Sequence, residues 1–314
     1  MSGLTAQSTT DDVLDGKDLS GKTVFITGGN SGLGMETGRA MASKGAHVIL
    51  AGRDQAKLDE AADTIRAETG SSSVETIICD LGSLESVRAC GAEANSRFDK
   101  IDLLINNAGI MATPKAATSD GFESQFGTNH LGHFVLTKTL LPLVEAGSDK
   151  RIVNLSSRGH HIAPVDFDDP NFDTREYVPF LSYGQSKTAN VLFTVGLEAR
   201  LADRGIHAFA VHPGGIQTNL GRYMTEEESA ALIERVTAND PDFAWKSIPQ
   251  GAATQVWAAT AEELEGRGGL YCEDCHVAEI DDESPRSGVR TYAIDPQNAD
   301  RLWSMSEQMT GEIY

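Results

Sequence analysis

Short apolar or β-branched runs recur along the chain at residues 23–27, 47–51, 74–79, 101–106, 151–155, 206–211 and 269–272. Each is nearly continuous in apolar character, the pattern of a strand covered on both faces. Between them lie longer stretches with helical spacing, at 33–43, 55–68, 84–98, 121–144, 182–202 and 251–261. Strands and helices alternate in this way when right-handed crossovers lay helices over both faces of a parallel sheet. The pattern predicts an α/β fold, a Rossmann-type doubly wound parallel sheet of about seven strands. One shift in composition interrupts it. Residues 222–242 are rich in Glu and Ala and fall between the sixth strand and the next helix, so 219–249 reads as a helical substrate flap. Residues 1–20 read as a polar N-terminal extension and 21–314 as a single domain, without internal repeats or low-complexity tracts.

Composition narrows the partners. A content of 40% hydrophobic and 23% charged residues is ordinary for a globular chain. The net charge of −20 argues against nucleic acid or an anionic membrane as a partner held by bulk electrostatics. The first residues lack a basic segment followed by an apolar one, and no run of about 18 apolar residues occurs, so neither a signal peptide nor a membrane segment is expected. Four cysteines in 314 residues do not make a disulfide scaffold, and the cytoplasm is the expected location.

Candidate chemistry begins at the first strand, which runs into Gly28-Gly29-Asn30-Ser31-Gly32-Leu33-Gly34 and then into a helix. Glycines let the backbone turn sharply and approach a pyrophosphate, while the helix start offers free N–H groups and a favourable dipole. Gly28, Asn30, Ser31, Gly32, Leu33 and Gly34 are therefore candidate cofactor contacts. Their spacing, Gly-x3-Gly-x-Gly, departs from the general dinucleotide fingerprint. Further on, Tyr183 and Lys187 stand one helical turn apart on a single face. A free phenol titrates near ~10, and a fixed positive charge beside it favours the phenolate, so the two read as an acid/base pair. An NAD site usually carries an acid about 20 residues past the glycine loop to bind the ribose 2′-OH. Here Gly52 and Arg53 stand at the end of the second strand. Glycine leaves room for a 2′-phosphate and arginine offers it a bidentate partner, which favours NADP(H) over NAD(H). Asp54, next in the chain, and the lack of a basic residue in the glycine loop weigh toward NAD(H).

Taken together, the Thr27-Gly-x3-Gly-x-Gly turn, Asn106-Asn107-Ala108-Gly109, Ser157 and Tyr183-x3-Lys187 resemble the short-chain dehydrogenase/reductase family. Leu50-Ala51-Gly52-Arg53-Asp54, Asn129-His130-Leu131-Gly132-His133-Phe134 and Gly269-Leu270-Tyr271-Cys272 extend the likeness to its retinol-dehydrogenase-like branch, which includes WW-domain oxidoreductases. The resemblance implies that Tyr183 donates or accepts the proton and that Lys187 lowers its pKa while holding the nicotinamide ribose. Ser157, the second serine of Asn154-Leu155-Ser156-Ser157, would stabilise the developing alkoxide. Asn129 would hold a relayed water near the lysine. Asp80 and Leu81 would contact adenine, Asn107, Ala108 and Gly109 would border the adenosine ribose, and Pro213, Gly214, Ile216 and Thr218 would face the carboxamide. The implied reaction interconverts an alcohol and its ketone or aldehyde by hydride transfer. Reduction of a C=C bond and a nicotinamide-binding regulator without turnover are the alternatives. Helices 121–144 and 182–202 would form the interface of a homodimer or homotetramer.

Specificity is expected from residues 158–180 and 219–249, whose apolar members Ile162, Val165, Phe180, Leu220, Tyr223, Met224, Leu232 and Phe243 suggest a hydrophobic or aromatic small-molecule substrate. His160 and His161 follow the serine closely enough to be candidates for the same pocket. Cys272-x2-Cys275-His276 matches a haem-attachment signature but reads better as the last strand and its turn, with no metal expected. Trp245, Trp257 and Trp303 are expected in the core or at an interface.

Overall fold

The computed structural model describes residues 3–239 and 243–314. Its strands are β1 (Thr23–Thr27), β2 (His47–Gly52), β3 (Val74–Ile78), β4 (Leu103–Asn106), β5 (Arg151–Leu155), β6 (His207–His212), β7 (Leu270–Glu273) and β8 (His276–Val277). They form one sheet in the order β3-β2-β1-β4-β5-β6-β7-β8. All pairs are parallel except β7 with β8. The fold is thus the expected doubly wound α/β sheet, with eight strands instead of about seven. The additional strand follows from a two-residue hairpin, because Asp274 and Cys275 both adopt positive φ (47° and 58°), the geometry of a type I′ turn. The cysteine motif is therefore strand, turn and strand, and both its thiols are buried.

Successive strand residues point to opposite faces and feed two apolar layers. Phe25, Ile49 and Leu104 join one layer with helices Leu84–Arg97, Gly132–Ala146, Pro179–Leu201 and Pro296–Thr310. Val24, Ile26, Val48 and Leu50 join the other with helices Gly32–Ala42, Gln55–Thr69 and Ile248–Thr260. Val13, Leu14 and Leu19, near the N-terminus, are buried in this second layer. Three helix boundaries differ from the sequence pattern. Pro179 at the first turn starts one helix earlier, and a capping box of Ser247 with Gln250 does the same for Ile248–Thr260. The expected helix 121–144 is instead a short turn, Ser124–Phe126, a π-helical turn, Gly127–Leu131, and the helix Gly132–Ala146. Helix Glu226–Asn239 occupies the flap.

A buried carboxylate ties the sheet's lower edge together. Asp102 is fully buried beside β4 and accepts hydrogen bonds from Thr23 N (2.7 Å), Ser148 N (2.7 Å) and Ser148 Oγ (2.8 Å), with Lys100 Nζ at 2.9 Å. Burial alone would push its pKa up, but Lys100 and these donors outweigh it and hold the carboxyl below its ordinary value. A carboxyl lowered in the folded state stabilises above its unfolded pKa and loses that contribution as pH falls through the folded one. Asp102→Ala is expected to cost about 3 kcal/mol at neutral pH, because the Thr23 and Ser148 amides lose their acceptor and Lys100 its counter-charge. Urea unfolding at pH 7 and at about pH 3 checks this, and the gap between variant and wild type should narrow in acid.

Candidate active site

The strand order reverses between β1 and its neighbours β2 and β4, which opens a crevice at the carboxyl ends of these strands. One continuous cleft of about 1740 Å³ lies there. That is larger than the roughly 300–1,000 Å³ of a pocket for one small molecule, so it has room for a dinucleotide and a second ligand together. Of the residues expected to act in catalysis or hold the cofactor, all line this cleft except Gly34 and Asn129, which stand behind its wall.

The glycine turn is built by close approach. A side-chain carbon on Gly34 would lie 2.4 Å from the Gly28 carbonyl oxygen and 2.6 Å from Asn107 Nδ2. Asn107 in turn donates from Nδ2 to the Thr27 carbonyl (2.8 Å), locking the turn to the end of β4. Ser31 occupies the cap position of helix Gly32–Ala42, yet its side chain makes no capping bond. Amide donors at that helix start are therefore not satisfied by the Ser31 side chain, and Ser31, Gly32 and Leu33 line the cleft, as an anion site requires. At the end of β2, a side chain on Gly52 would begin 3.5 Å from Asn30 Oδ1, so glycine keeps the space between the two loops open, with exposed Arg53 next to it. These features fit a dinucleotide whose pyrophosphate rests on the glycine turn. Asp80 holds its own loop, accepting from Gly82 N (3.0 Å). Ile216 packs toward Gly251, and Thr218 lies over Gly32, which places the segment after β6 above the glycine turn.

Tyr183 and Lys187 share one face of helix Pro179–Leu201, and Lys187 Nζ is 5.7 Å from the Tyr183 ring centroid. The ammonium donates to the Leu155 carbonyl at 2.9 Å. Burial pushes the Tyr183 phenol up to about 12, and the hydrogen bond with Ser157 only partly offsets this. Burial likewise brings Lys187 down to about 8. Loss of solvent around the phenol therefore dominates its resting state. Ser157 sits just past β5, where its Oγ accepts from Gly159 N (3.0 Å). Gly159 is a residue that sequence reasoning missed: a side-chain carbon there would lie 2.7 Å from the Tyr183 ring, so only glycine lets the serine turn reach the phenol. His160 does not line the cleft. It donates from Nδ1 to the Ser157 carbonyl (2.8 Å) and accepts at Nε2 from Arg290 N (3.2 Å), bracing the serine turn from behind, whereas His161 does face the cleft.

Asn129 lies on the π-helical turn, and both hydrogens of its amide are engaged. Its Oδ1 accepts from Ile110 N (2.9 Å), and its Nδ2 donates to Ile110 O (2.9 Å) and Ser186 Oγ (2.9 Å). Gly109 separates it from the lysine, with a built side-chain carbon 3.4 Å from Asn129 Oδ1 and 3.5 Å from Lys187 Nζ. The Asn129 carbonyl accepts from His133 Nδ1 at 2.9 Å. Because a carbonyl can only accept, His133 Nε2 is the unprotonated nitrogen and accepts from Thr27 Oγ1 (2.9 Å). Thr27 Oγ1 itself accepts from Asn107 N (2.9 Å) and Ala108 N (3.0 Å). Burial pushes His133 down to about 4, keeping it neutral in this chain of bonds.

Flap residues Leu220, Tyr223, Met224, Leu232 and Phe243 wall the outer cleft, as do Ile162 and Phe180. Val165 does not, because it is buried in the core. Trp257 and Trp303 are core residues, but Trp245 is 42% exposed and joins the cleft wall, edge-to-face with Phe243 at 5.0 Å. Met111, Pro285 and Arg290 are among further lining residues that carry no signal in the sequence pattern. Among the described residues no helix is long and apolar enough to cross a membrane.

The sequence profile described as short chain dehydrogenase matches residues 22–167. Human retinol dehydrogenase 13 is 40% identical over 296 residues, covering 93% of this chain and 86% of the relative. The short-chain dehydrogenase/reductase prx1 of Penicillium roqueforti is 40% identical over 314 residues, covering 97% of this chain and 90% of the relative. Among solved structures, an uncharacterized protein of Mycobacterium paratuberculosis superposes with a TM-score of 0.73 at 37% identity, covering 98% of both chains. A gluconate 5-dehydrogenase of Burkholderia cenocepacia, solved with NADP and tartrate, superposes at 0.64 with 25% identity, over 82% of this chain and 94% of the other. The chain belongs to the short-chain dehydrogenase/reductase family of oxidoreductases. Within that family it is similar to the retinol dehydrogenases.

Proposed function

We propose that this chain interconverts a hydrophobic alcohol and its ketone or aldehyde, with NADP(H) as the cofactor. The observation that carries the reading is that Ser157 and Tyr183 both stand against Gly159 and line the same cleft as the open glycine turn and the apolar flap. Bound there, the nicotinamide supplies or takes the hydride. Everything else is done by side chains. In the reducing direction, Ser157 Oγ and the Tyr183 hydroxyl donate to the carbonyl oxygen, and Tyr183 gives up its proton as negative charge develops. A phenol held up to about 12 keeps that proton at neutral pH until the developing alkoxide takes it. Lys187, charged below about 8, supports the phenolate left behind and resupplies its proton. Asn129, whose Oδ1 accepts from Ile110 N and whose carbonyl accepts from His133 Nδ1, keeps a lone pair on its side-chain oxygen for a water of the proton relay.

Retinol dehydrogenase names among the relatives and the apolar wall of Phe180, Met224, Leu232 and Trp245 support a hydrophobic substrate. Gly52 and Arg53 support the phosphorylated cofactor, as does the NADP bound to the gluconate 5-dehydrogenase neighbour. The test compares kcat/KM for NADPH and NADH in wild type and Arg53→Ala, on a panel of aliphatic, aromatic and steroid-like alcohols and ketones. Wild type should prefer NADPH, and the variant should lose about 10-fold of that preference with the loss of one charge-assisted contact. A strong NADH preference that survives Arg53→Ala would sink the cofactor assignment.

A further inference from the structure

The hairpin between β7 and β8 carries a carboxylate that meets the far end of the flap. Asp274 Oδ1 stands 2.5 Å from Lys246 Nζ, and among the described residues no other carboxylate pairs with this ammonium. The two partners differ in solvation, because the Lys246 side chain is 8% exposed and that of Asp274 is 42% exposed. Asparagine serves the first place of such a turn as well as aspartate does, so what Asp274 adds is its charge. Its base is firm. Cys275 N donates to Thr254 Oγ1 (3.2 Å) on helix Ile248–Thr260, and β7 pairs with β6 as far as His212 and Glu273.

Lys246 lies on the segment that follows β6. Its N donates to the Gly215 carbonyl at 2.9 Å, and it forms an isolated parallel bridge with Ile216. Its stem crosses Gly214, where a side-chain carbon would begin 2.7 Å from Lys246 Cδ. Phe243 and Trp245 press on the next residue, since a carbon on Gly215 would lie 2.7 Å from Phe243 Cζ and 3.6 Å from Trp245 Cε3. The exit of the flap thus rests on Gly214, Gly215 and Ile216, and Asp274 pins it there through a nearly buried charge.

We propose that Lys246 and Asp274 form a latch that seats the flap's exit, residues 243–247, on Gly214–Ile216 and so holds the cleft wall at the nicotinamide end of the cofactor. Both act as positioning residues. The latch rests on the functional reading above, in which the segment after β6 faces that end. Its two halves are not equivalent. Removing the carboxylate strands an ammonium that regains water only by lifting the exit away, the costly way to break a buried pair. Replacing both partners by uncharged groups leaves nothing stranded, and a pair exchanged in that way is often neutral in stability.

The test follows hydrogen exchange over residues 243–247 in the full chain without ligands, where the Lys246 amide reports the bond to Gly215 directly, and measures NADPH and adenosine 5′-diphosphate binding by calorimetry. Asp274→Asn should speed exchange at least ~10-fold and weaken NADPH about 10-fold, while the diphosphate, which lacks the nicotinamide end, changes less than about 2-fold. Adding Lys246→Met should return exchange and NADPH affinity to within about 3-fold of wild type. Damage confined to the hairpin would not be repaired by that second substitution. Unchanged exchange in Asp274→Asn, or a double variant no better than the single one, overturns the latch. Faster exchange with NADPH binding intact overturns its role at the nicotinamide end. A wild type that binds neither NADPH nor NADH overturns the functional reading, and exchange still decides whether the latch exists.

Discussion

Replacing Tyr183 with Phe is expected to lower kcat and kcat/KM together by about 10²–10⁴-fold, the range a general acid contributes, with cofactor affinity unchanged. Phenylalanine fills nearly the same buried volume, so the ring contacts with Gly159 survive and only the hydroxyl is lost. Ser157 Oγ then remains the sole side-chain donor of the pair, able to polarise a carbonyl but with no proton of suitable acidity to deliver. In wild type, reduction should hold steady through neutral pH, because the phenol stays protonated well above it, and should fall as Lys187 gives up its charge near about 8. The variant should lose that pH dependence along with its rate. Steady-state kinetics, cofactor titration and a thermal melt on both proteins check this together. Near wild-type turnover by Tyr183→Phe would refute the role given to the phenol.

Gly34→Ala should weaken cofactor binding at least ~10-fold with little effect on the far side of the sheet. Its new methyl group would stand 2.4 Å from the Gly28 carbonyl oxygen and 2.6 Å from Asn107 Nδ2. Neither atom can give way cheaply. Gly28 N is bonded to the Ala51 carbonyl (2.8 Å), and Asn107 is held through Nδ2 by the Thr27 carbonyl and through N by Thr27 Oγ1. Overpacking of this kind costs about 1–3 kcal/mol, and a turn displaced to relieve it no longer presents its amides to a pyrophosphate. Calorimetry should show at least ~10-fold weaker binding of NADPH and NADH alike, since the strain lies at the shared pyrophosphate rather than the 2′-phosphate. A melting temperature lowered by a few degrees would accompany it, whereas full-affinity binding would mean the turn has freedom that the packing denies.

The parts of this site that were legible in the sequence are those encoded locally. A strand running into glycines and a helix, and a tyrosine and lysine one turn apart, each determine their own geometry within a few residues. Ser157 and Tyr183 are a long segment apart in the chain, and the glycine at 159 is what leaves room for the serine turn against the phenol ring. What the sequence concealed depends on distant contacts. The break of the expected helix 121–144 at a π-helical turn is stabilised by Asn129 reaching Ile110 and Ser186, and the Thr27–His133 bond joins residues on a strand and a helix. Trp245 looked like a core residue by its chemistry, but its place at the foot of the flap turns it to the cleft. Val165 fails in the opposite sense, because its loop folds inward. The strand β8 is two residues long and carries too little pattern to be seen.

The most direct test of the account is the fate of deuterium from C4-labelled NADPH, followed by mass spectrometry of the reduced products in wild type and Tyr183→Phe. With a hydrophobic ketone or aldehyde, wild type should place deuterium on the carbinol carbon, and Tyr183→Phe should form almost none of that product. Label delivered to an alkene carbon, or no transfer to any carbonyl compound while the cofactor remains tightly bound, would contradict hydride transfer at the carbon that Ser157 and Tyr183 address.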